Sequence, residues 1–351
     1  MELQNFIDTN SDYVSLFKKE GYKVVKYKNL ILVKNYYDKP LNFKENNEYW
    51  KMYCRGVIID KNTNKIVCLP PVKSIEVDIT KDFTFAGGEI QYLIDGTMIN
   101  LFYNKDQWLI STRGEIGGYN KWLNNKSFKQ MFEECCDIDY NNLDKQCSYS
   151  FVMRHKENRN ISSIRENEIY LVEVYKFGEN IDRLKIEEYP DNIQKINNEP
   201  LINIENAFTN YEIKGYTIKE GNMRFKITNP SFEKVKELKP NMNNHLLNYI
   251  ELRKSGDLKK YLRYFPEHSK LFECYRNEIH TFTNNLYNSY KDTFIFKKKD
   301  KKEIPYHFKP LLTEIHKNYL KTKNPTKWED IKSYIHNLNS KRLIFALNYS
   351  K

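Results

Sequence analysis

Arginines and aromatic rings are the side chains with most chemistry to offer in this chain. Tyr92, Phe102, Tyr103, Trp108, Tyr119 and Trp122 fall between positions 92 and 122, in a stretch that also holds Arg113. A guanidinium grips phosphate oxygens bidentately, and an aromatic face stacks a base or a cap. Strand-rich domains also need aromatics for their cores, which is the commoner use. His155 could move a proton, but the sequence offers it no partner, so a satisfied or surface histidine is the favoured reading. The turn Glu115-Ile116-Gly117-Gly118 lacks the strand–glycine–helix context of a phosphate loop. Cys54, Cys68, Cys135, Cys136, Cys147 and Cys274 contain no C-x-x-C pair, which argues against a zinc ribbon. They read as reduced thiols and point to an intracellular compartment.

Charge divides the chain. Residues 231–351 carry 25 Lys+Arg against 13 Asp+Glu, a net of +12, which leaves −1 of the total +11 for residues 1–230. A basic face is the usual footprint of a polyphosphate partner, whose binding releases counterions. No run of 18 apolar residues is present, so no transmembrane helix is expected. The N-terminus Met1-Glu2-Leu3-Gln4 lacks a basic-then-apolar signal pattern.

The elements that must position these residues change type near Pro230. Before it, β-rich runs cover 22–27, 30–33, 56–60, 65–69, 97–103, 108–112 and 169–175, with turns at 60–64 and 104–107. One helix is expected over 127–136 and another over 191–195. After Pro230 the apolar spacing becomes helical, through Leu246 to Leu262, Leu271 to Leu286 and Leu311 to Leu320. A final helix starts near Thr326 or Trp328, and the apolar run Leu343 to Leu347 predicts a tail that docks. At 351 residues, two domains are expected, 1–230 and 231–351.

An ordered set of segments over about residues 50–230 resembles the covalent nucleotidyltransferase superfamily, in particular phage-type RNA ligases. Tyr53-Cys54-Arg55-Gly56 resembles their C-R-G strand, and Pro70-Pro71-Val72-Lys73 sits where they place P-x-K-F-F. Leu93-Ile94-Asp95-Gly96 matches K-x-D-G, and Ser111-Thr112-Arg113-Gly114 matches the following T-R-G strand. Ser150-Phe151-Val152-Met153 with Asn158-Arg159 resembles T-F-E-F and N-R. Lys214-Gly215-Tyr216-Thr217-Ile218 and Arg224-Phe225-Lys226-Ile227-Thr228 resemble E-G-Y-V-I and R-x-K-I-K. Asp95-Gly96-Thr97-Met98-Ile99-Asn100 and the C-terminal part are similar to RNA-ligase-like proteins of giant DNA viruses. The resemblance implies an α+β fold. It would comprise an N-terminal domain of ATP-grasp-like antiparallel sheets and a C-terminal all-helical domain.

Four charged positions of the pattern are altered. Leu93 stands at the nucleophilic lysine, Val152 and Lys214 at two acids, and Thr228 at the second lysine of K-I-K. In active relatives the lysine attacks an α-phosphate, the acids help hold metal and ribose, and the last lysine contacts the phosphate. A leucine cannot attack phosphorus, and a lysine at a metal-site acid opposes Mg²⁺. The resemblance therefore implies a chain that is not a working ligase, with no catalytic residue, metal or cofactor. It would bind RNA, at a 5′ end or mRNA cap, in the former nucleotide pocket. Arg55, Lys73, Asp95, Gly96, Arg113, Phe151, Arg159, Lys214, Arg224 and Lys226 are its candidate binding residues. For Arg159 a loop-tying role competes. One alternative is an active RNA ligase or guanylyltransferase that uses another lysine, with ATP or GTP and Mg²⁺. Another is a scaffold subunit of a viral RNA-processing or translation complex with protein partners. The expected location is the host cytoplasm or viral factory, without a membrane partner.

Overall fold

A computed structural model describes residues 1–35, 48–77, 87–122, 125–191, 193–196, 198, 208–240 and 244–349. Strands β1 (Tyr22–Tyr27), β2 (Leu30–Asn35), β3 (Arg55–Asp60) and β4 (Lys65–Cys68) form an antiparallel sheet in chain order. Successive strand residues face opposite sides. Ile31, Val33, Val57 and Ile59 pack against Leu3 and Ile7 of α1 (Glu2–Thr9) and Phe17 of α2 (Tyr13–Lys19). Leu30, Leu32 and Ile58 pack with Phe102 and Ile116 of the neighbouring sheet. Both faces are covered, which is why these strands read as unbroken apolar runs.

The second sheet is built from β7 (Thr97–Asn104), β8 (Gln107–Ser111), β9 (Cys147–Arg154), β10 (Glu168–Phe177) and β11 (Ile181–Arg183), in the order β11-β10-β9-β7-β8. Helix α3 (Phe128–Cys135) starts at a Ser127–Gln130 capping box and packs Phe132 on Phe151, with ring centroids 5.6 Å apart. The third sheet has the order β5 (Ile75–Glu76)–β13 (Met223–Thr228)–β12 (Gly215–Glu220)–β6 (Glu89–Tyr92). All its pairs are antiparallel except β13–β5.

The chain divides into two compact units, Met1–Lys234 and Val235–Lys351. Helix α4 (Pro230–Leu238) follows Asn229, whose side-chain oxygen accepts from the Ser231 N–H. Beyond it lie α5 (His245–Ser255), α6 (Leu258–Tyr264), α7 (Ser269–Tyr290), α8 (Lys309–Thr322), α9 (Trp328–Asn337) and α10 (Ser340–Tyr349). In the second unit Tyr261, Phe272, Phe282, Leu286, Leu311, Ile331 and Leu347 are buried. The architecture is thus α+β, antiparallel sheets followed by helices. No helix among the described residues is long and apolar enough to cross a membrane.

The expected strands and both turns are present, as is the helix over 127–136. The helix expected over 191–195 is not: among the described residues there, Lys195 forms an isolated bridge with Leu171. Its apolar residue Ile193 is instead drawn into the core of the second sheet. Four helices among the described residues were not foreseen, α1, α2, α4 and α10. Helices α1 and α2 are short, and α10 was read only as a docking tail; Leu343, Ala346 and Leu347 on it are indeed buried.

Candidate functional site

The segment after β6 draws the sequence motifs together. The Leu93 N–H donates to the Gly215 carbonyl at 2.8 Å, continuing the β6–β12 pairing. Asp95 is buried, and its Oδ2 accepts from the N–H groups of Ile161 (2.8 Å) and Ser162 (3.0 Å). Its Oδ1 lies 3.6 Å from the Lys214 Nζ. Gly96 packs directly on β9: a Cβ there would stand 2.5 Å from the Met153 carbonyl oxygen and 2.6 Å from Val152 Cγ1. Gly215 has φ +148°, and a Cβ on it would meet the Ile227 oxygen at 2.0 Å. Only glycine fits there.

The four altered positions are therefore neighbours. Leu93 bonds Gly215, Lys214 precedes Gly215 and pairs with Asp95, and Thr228 lies opposite Gly215 in the β12–β13 register. Val152 touches the Gly96 site and joins Val172 and Ile196 in an apolar cluster, with Tyr92, Ile94, Met98 and Tyr170 packed around it. The Thr228 hydroxyl donates to Glu76 at 2.6 Å. This donor set does not fit a divalent cation. Asp95 already serves two N–H groups and faces an ammonium, Glu76 is engaged by Thr228 and Lys226, and the wall at Val152, Val172 and Ile196 is aliphatic.

Basic residues gather elsewhere in the first unit. A Cβ on Gly56 (φ +106°) would lie 3.1 Å from the Arg113 Cα, so the C-R-G and T-R-G segments touch through backbone. A Cβ on Gly114 would lie 2.7 Å from the Lys34 Nζ, which places that amine over the T-R-G turn. Lys23, Lys34 and Arg55 are successive partners across β1, β2 and β3. Burial, then Lys23, then Arg113 hold the Lys34 amine below its usual pKa. Sequence reasoning passed over Lys34 because nothing local distinguishes it from other strand lysines.

Other candidate residues have structural duties. Phe151 is a correction: it is fully enclosed in the core beside Phe132 and has no face to offer a ligand. Arg224 is also corrected: it is buried, donates to Thr217 and lies 3.6 Å from Glu173, because β13 turns it inward. Arg159 donates to the Ile161 and Ser162 carbonyls, so it ties the loop that Asp95 also holds. Lys226 pairs with Glu76 at 3.3 Å and keeps a partly exposed amine, and Lys73, half-buried, donates its N–H to Met52. His155 is buried and satisfied, with Nε2 2.9 Å from Glu134 and Nδ1 accepting from the Glu157 N–H.

A second site of charge was not legible in the sequence. Lys219 is buried between Glu89 (3.8 Å) and Glu173 (3.9 Å) and donates to the Val172 carbonyl at 2.6 Å. Burial pulls its amine down to about 8, against the pull of the two carboxylates. Glu89 and Lys219 line a cavity of about 680 Å³ with Arg183 and Asn222. Alternation along β12 could have placed Lys219 on the Thr217 face. Its partners come from β6 and β10, and no spacing rule links them.

No protein-family model matches the sequence. The chain is 24% identical over 222 residues to an immediate-early protein ICP-46 homolog of Invertebrate iridescent virus 3, covering 58% of this chain and 49% of that protein. It spans about half the length of that curated relative. A putative ATP-dependent DNA ligase from Aquifex aeolicus is similar at TM-score 0.44 and 16% identity, over 88% of both chains. An archaeal ATP-dependent RNA ligase is similar at TM-score 0.46 and 10% identity, over 97% of this chain and 77% of that one. The fold described above rests on the sheets and helices themselves.

Proposed function

We propose that this chain is a catalytically inactive member of the nucleotidyltransferase type that binds RNA, through a 5′ end or cap. One observation carries the reading. The positions of the lost nucleophile, one lost acid and the lost lysine meet around Gly215, where Lys214 faces Asp95 at 3.6 Å, and the other acid position, Val152, packs against Gly96 one residue beyond Asp95. An ammonium fills the place where metal chemistry needs an acid. Elsewhere in the first unit Arg55, Arg113 and Lys34 supply positive charge, where the backbones of the C-R-G and T-R-G segments touch. Phosphate is the ligand that such a cluster suits.

The test is fluorescence anisotropy with one RNA sequence carrying a 5′ triphosphate, a cap or a 5′ hydroxyl. Preference for the triphosphate or capped end is expected. Equal affinity for all three would remove the 5′-end reading.

An active enzyme with another amine has one observation in its favour. Burial first, and then the neighbouring Lys23 and Arg113, hold the Lys34 amine below its usual pKa, and such an environment activates amines. A nucleotidyl group found on Lys34 after incubation with ATP or GTP and Mg²⁺ would establish that reading instead.

A further inference from the structure

The helical unit leaves a group of aromatic rings in solvent. Tyr306 is 66% exposed, Phe345 59% and Tyr349 53%. They touch one another: the Tyr306 and Tyr349 centroids are 5.5 Å apart, and those of Phe345 and Tyr349 6.0 Å. Exposed single apolar residues are ordinary, but a contiguous aromatic surface marks an interaction site. His307 continues the surface, 5.6 Å from Tyr349. It also lines a cleft of about 730 Å³, a size that suits a small ligand such as a nucleotide. The cleft has an apolar floor of Phe282, Phe308 and Leu347. On its α7 side it presents the amides of Asn285 and Asn288 and the hydroxyls of Thr281 and Ser289.

We propose that this aromatic surface and cleft bind single-stranded RNA by its bases, stacking them on Tyr306, Phe345 and Tyr349 and taking an unstacked base against the Asn285–Asn288 wall. Charge selects this occupant. Lys297, Lys298, Lys299, Lys301 and Lys302 lie just before Tyr306, and residues 231–351 carry a net +12. A protein partner would have to bury aromatics beside that charge, whereas a phosphodiester strand answers both. The acidic groups facing the cleft are Glu278 and Asp292, the latter 3.7 Å from Lys299. Carboxylates there accept from exocyclic amines of a base and keep phosphates on the lysine side. A duplex hides its base faces and does not satisfy this surface.

This inference is independent of the 5′-end reading, and its test uses RNA with a 5′ hydroxyl. Full-length protein is titrated with labelled single-stranded RNA of about a dozen nucleotides, within the range of known stacking platforms. Tyr306→Ala and Tyr349→Ala are each expected to weaken binding about 5- to 150-fold, and Tyr349→Phe to restore most of it. Binding of a duplex of equal length should change little. In wild-type protein, photocrosslinks from 4-thiouridine RNA should map to peptides holding Tyr306, Phe345 or Tyr349. Unchanged affinity in both alanine variants, crosslinks confined to the first unit, or wild-type protein that ignores this RNA would each overturn the proposal. So would a wild-type dimer that the alanine variants convert to monomer, since the surface would then serve a second copy of the chain.

Discussion

Asp95 shows how a residue that fits a ligand-binding pattern can hold a structural job. Its carboxylate caps two buried N–H groups and balances Lys214, so it organises the loop that holds Ile161 and Ser162. Asp95→Ala would strand those donors. A loss of about 2–4 kcal/mol in folding stability is expected, from unsatisfied buried groups and an unpaired Lys214. Urea denaturation reads this directly; a change under about 0.5 kcal/mol, the scale of a neutral surface change, would contradict the assignment. Lys34 makes the opposite case. Its role would be electrostatic, so Lys34→Ala should leave stability nearly unchanged. It should flatten the slope of log affinity against log salt for single-stranded RNA by about 0.7, one phosphate contact. An unaltered slope would place Lys34 outside the RNA interface.

At the scale of elements, β12 joins two kinds of chemistry. It starts at Gly215, just after Lys214 in the altered motif, and its other end carries Lys219 into a buried ionic cluster with Glu173, Glu89, Arg224 and Arg183. The Lys219 amine sits near 8 in the fold and near 10.4 in an open chain. Between those values the unfolded chain holds a proton that the folded one has released. Stability should therefore rise as pH climbs from about 8 to about 10, by an amount on the order of 2 kcal/mol. Buried tyrosines such as Tyr175, whose pKa burial and Glu173 raise, reverse the trend above about 10. Lys219→Met should abolish the rise; urea midpoints at pH 7, 8, 9 and 10 check it, and a rise that persists in the variant would assign it elsewhere. The strands β1 to β4, β7, β8 and β10, the turns and the long helices were legible because alternation and helical spacing are local properties, whereas β5, β6, β9, β11, β12 and β13 were not read as strands. The structure brings Leu93, Asp95, Gly96 and Lys214 to one place, as the resemblance implied. Phe151 and Arg224 were misread because a motif string says nothing about which face of a strand turns inward. Lys34, Lys219 and the Tyr306–Tyr349 surface were missed because each is assembled from distant segments.

For the whole molecule, chemistry and charge are separately housed. Residues 1–230 are nearly neutral and carry the altered motifs, while residues 231–351 hold a net +12 and the exposed aromatics. In the proposed function these two regions take different shares: the altered motifs would leave no reactive amine, and the basic, aromatic C-terminal third would hold the polymer. The most direct test is the intact mass of purified full-length protein after incubation with ATP or GTP and Mg²⁺. An unchanged mass under conditions that load an active ligase is the expected result. A denaturation-stable gain of one nucleotidyl group on any lysine would contradict the account.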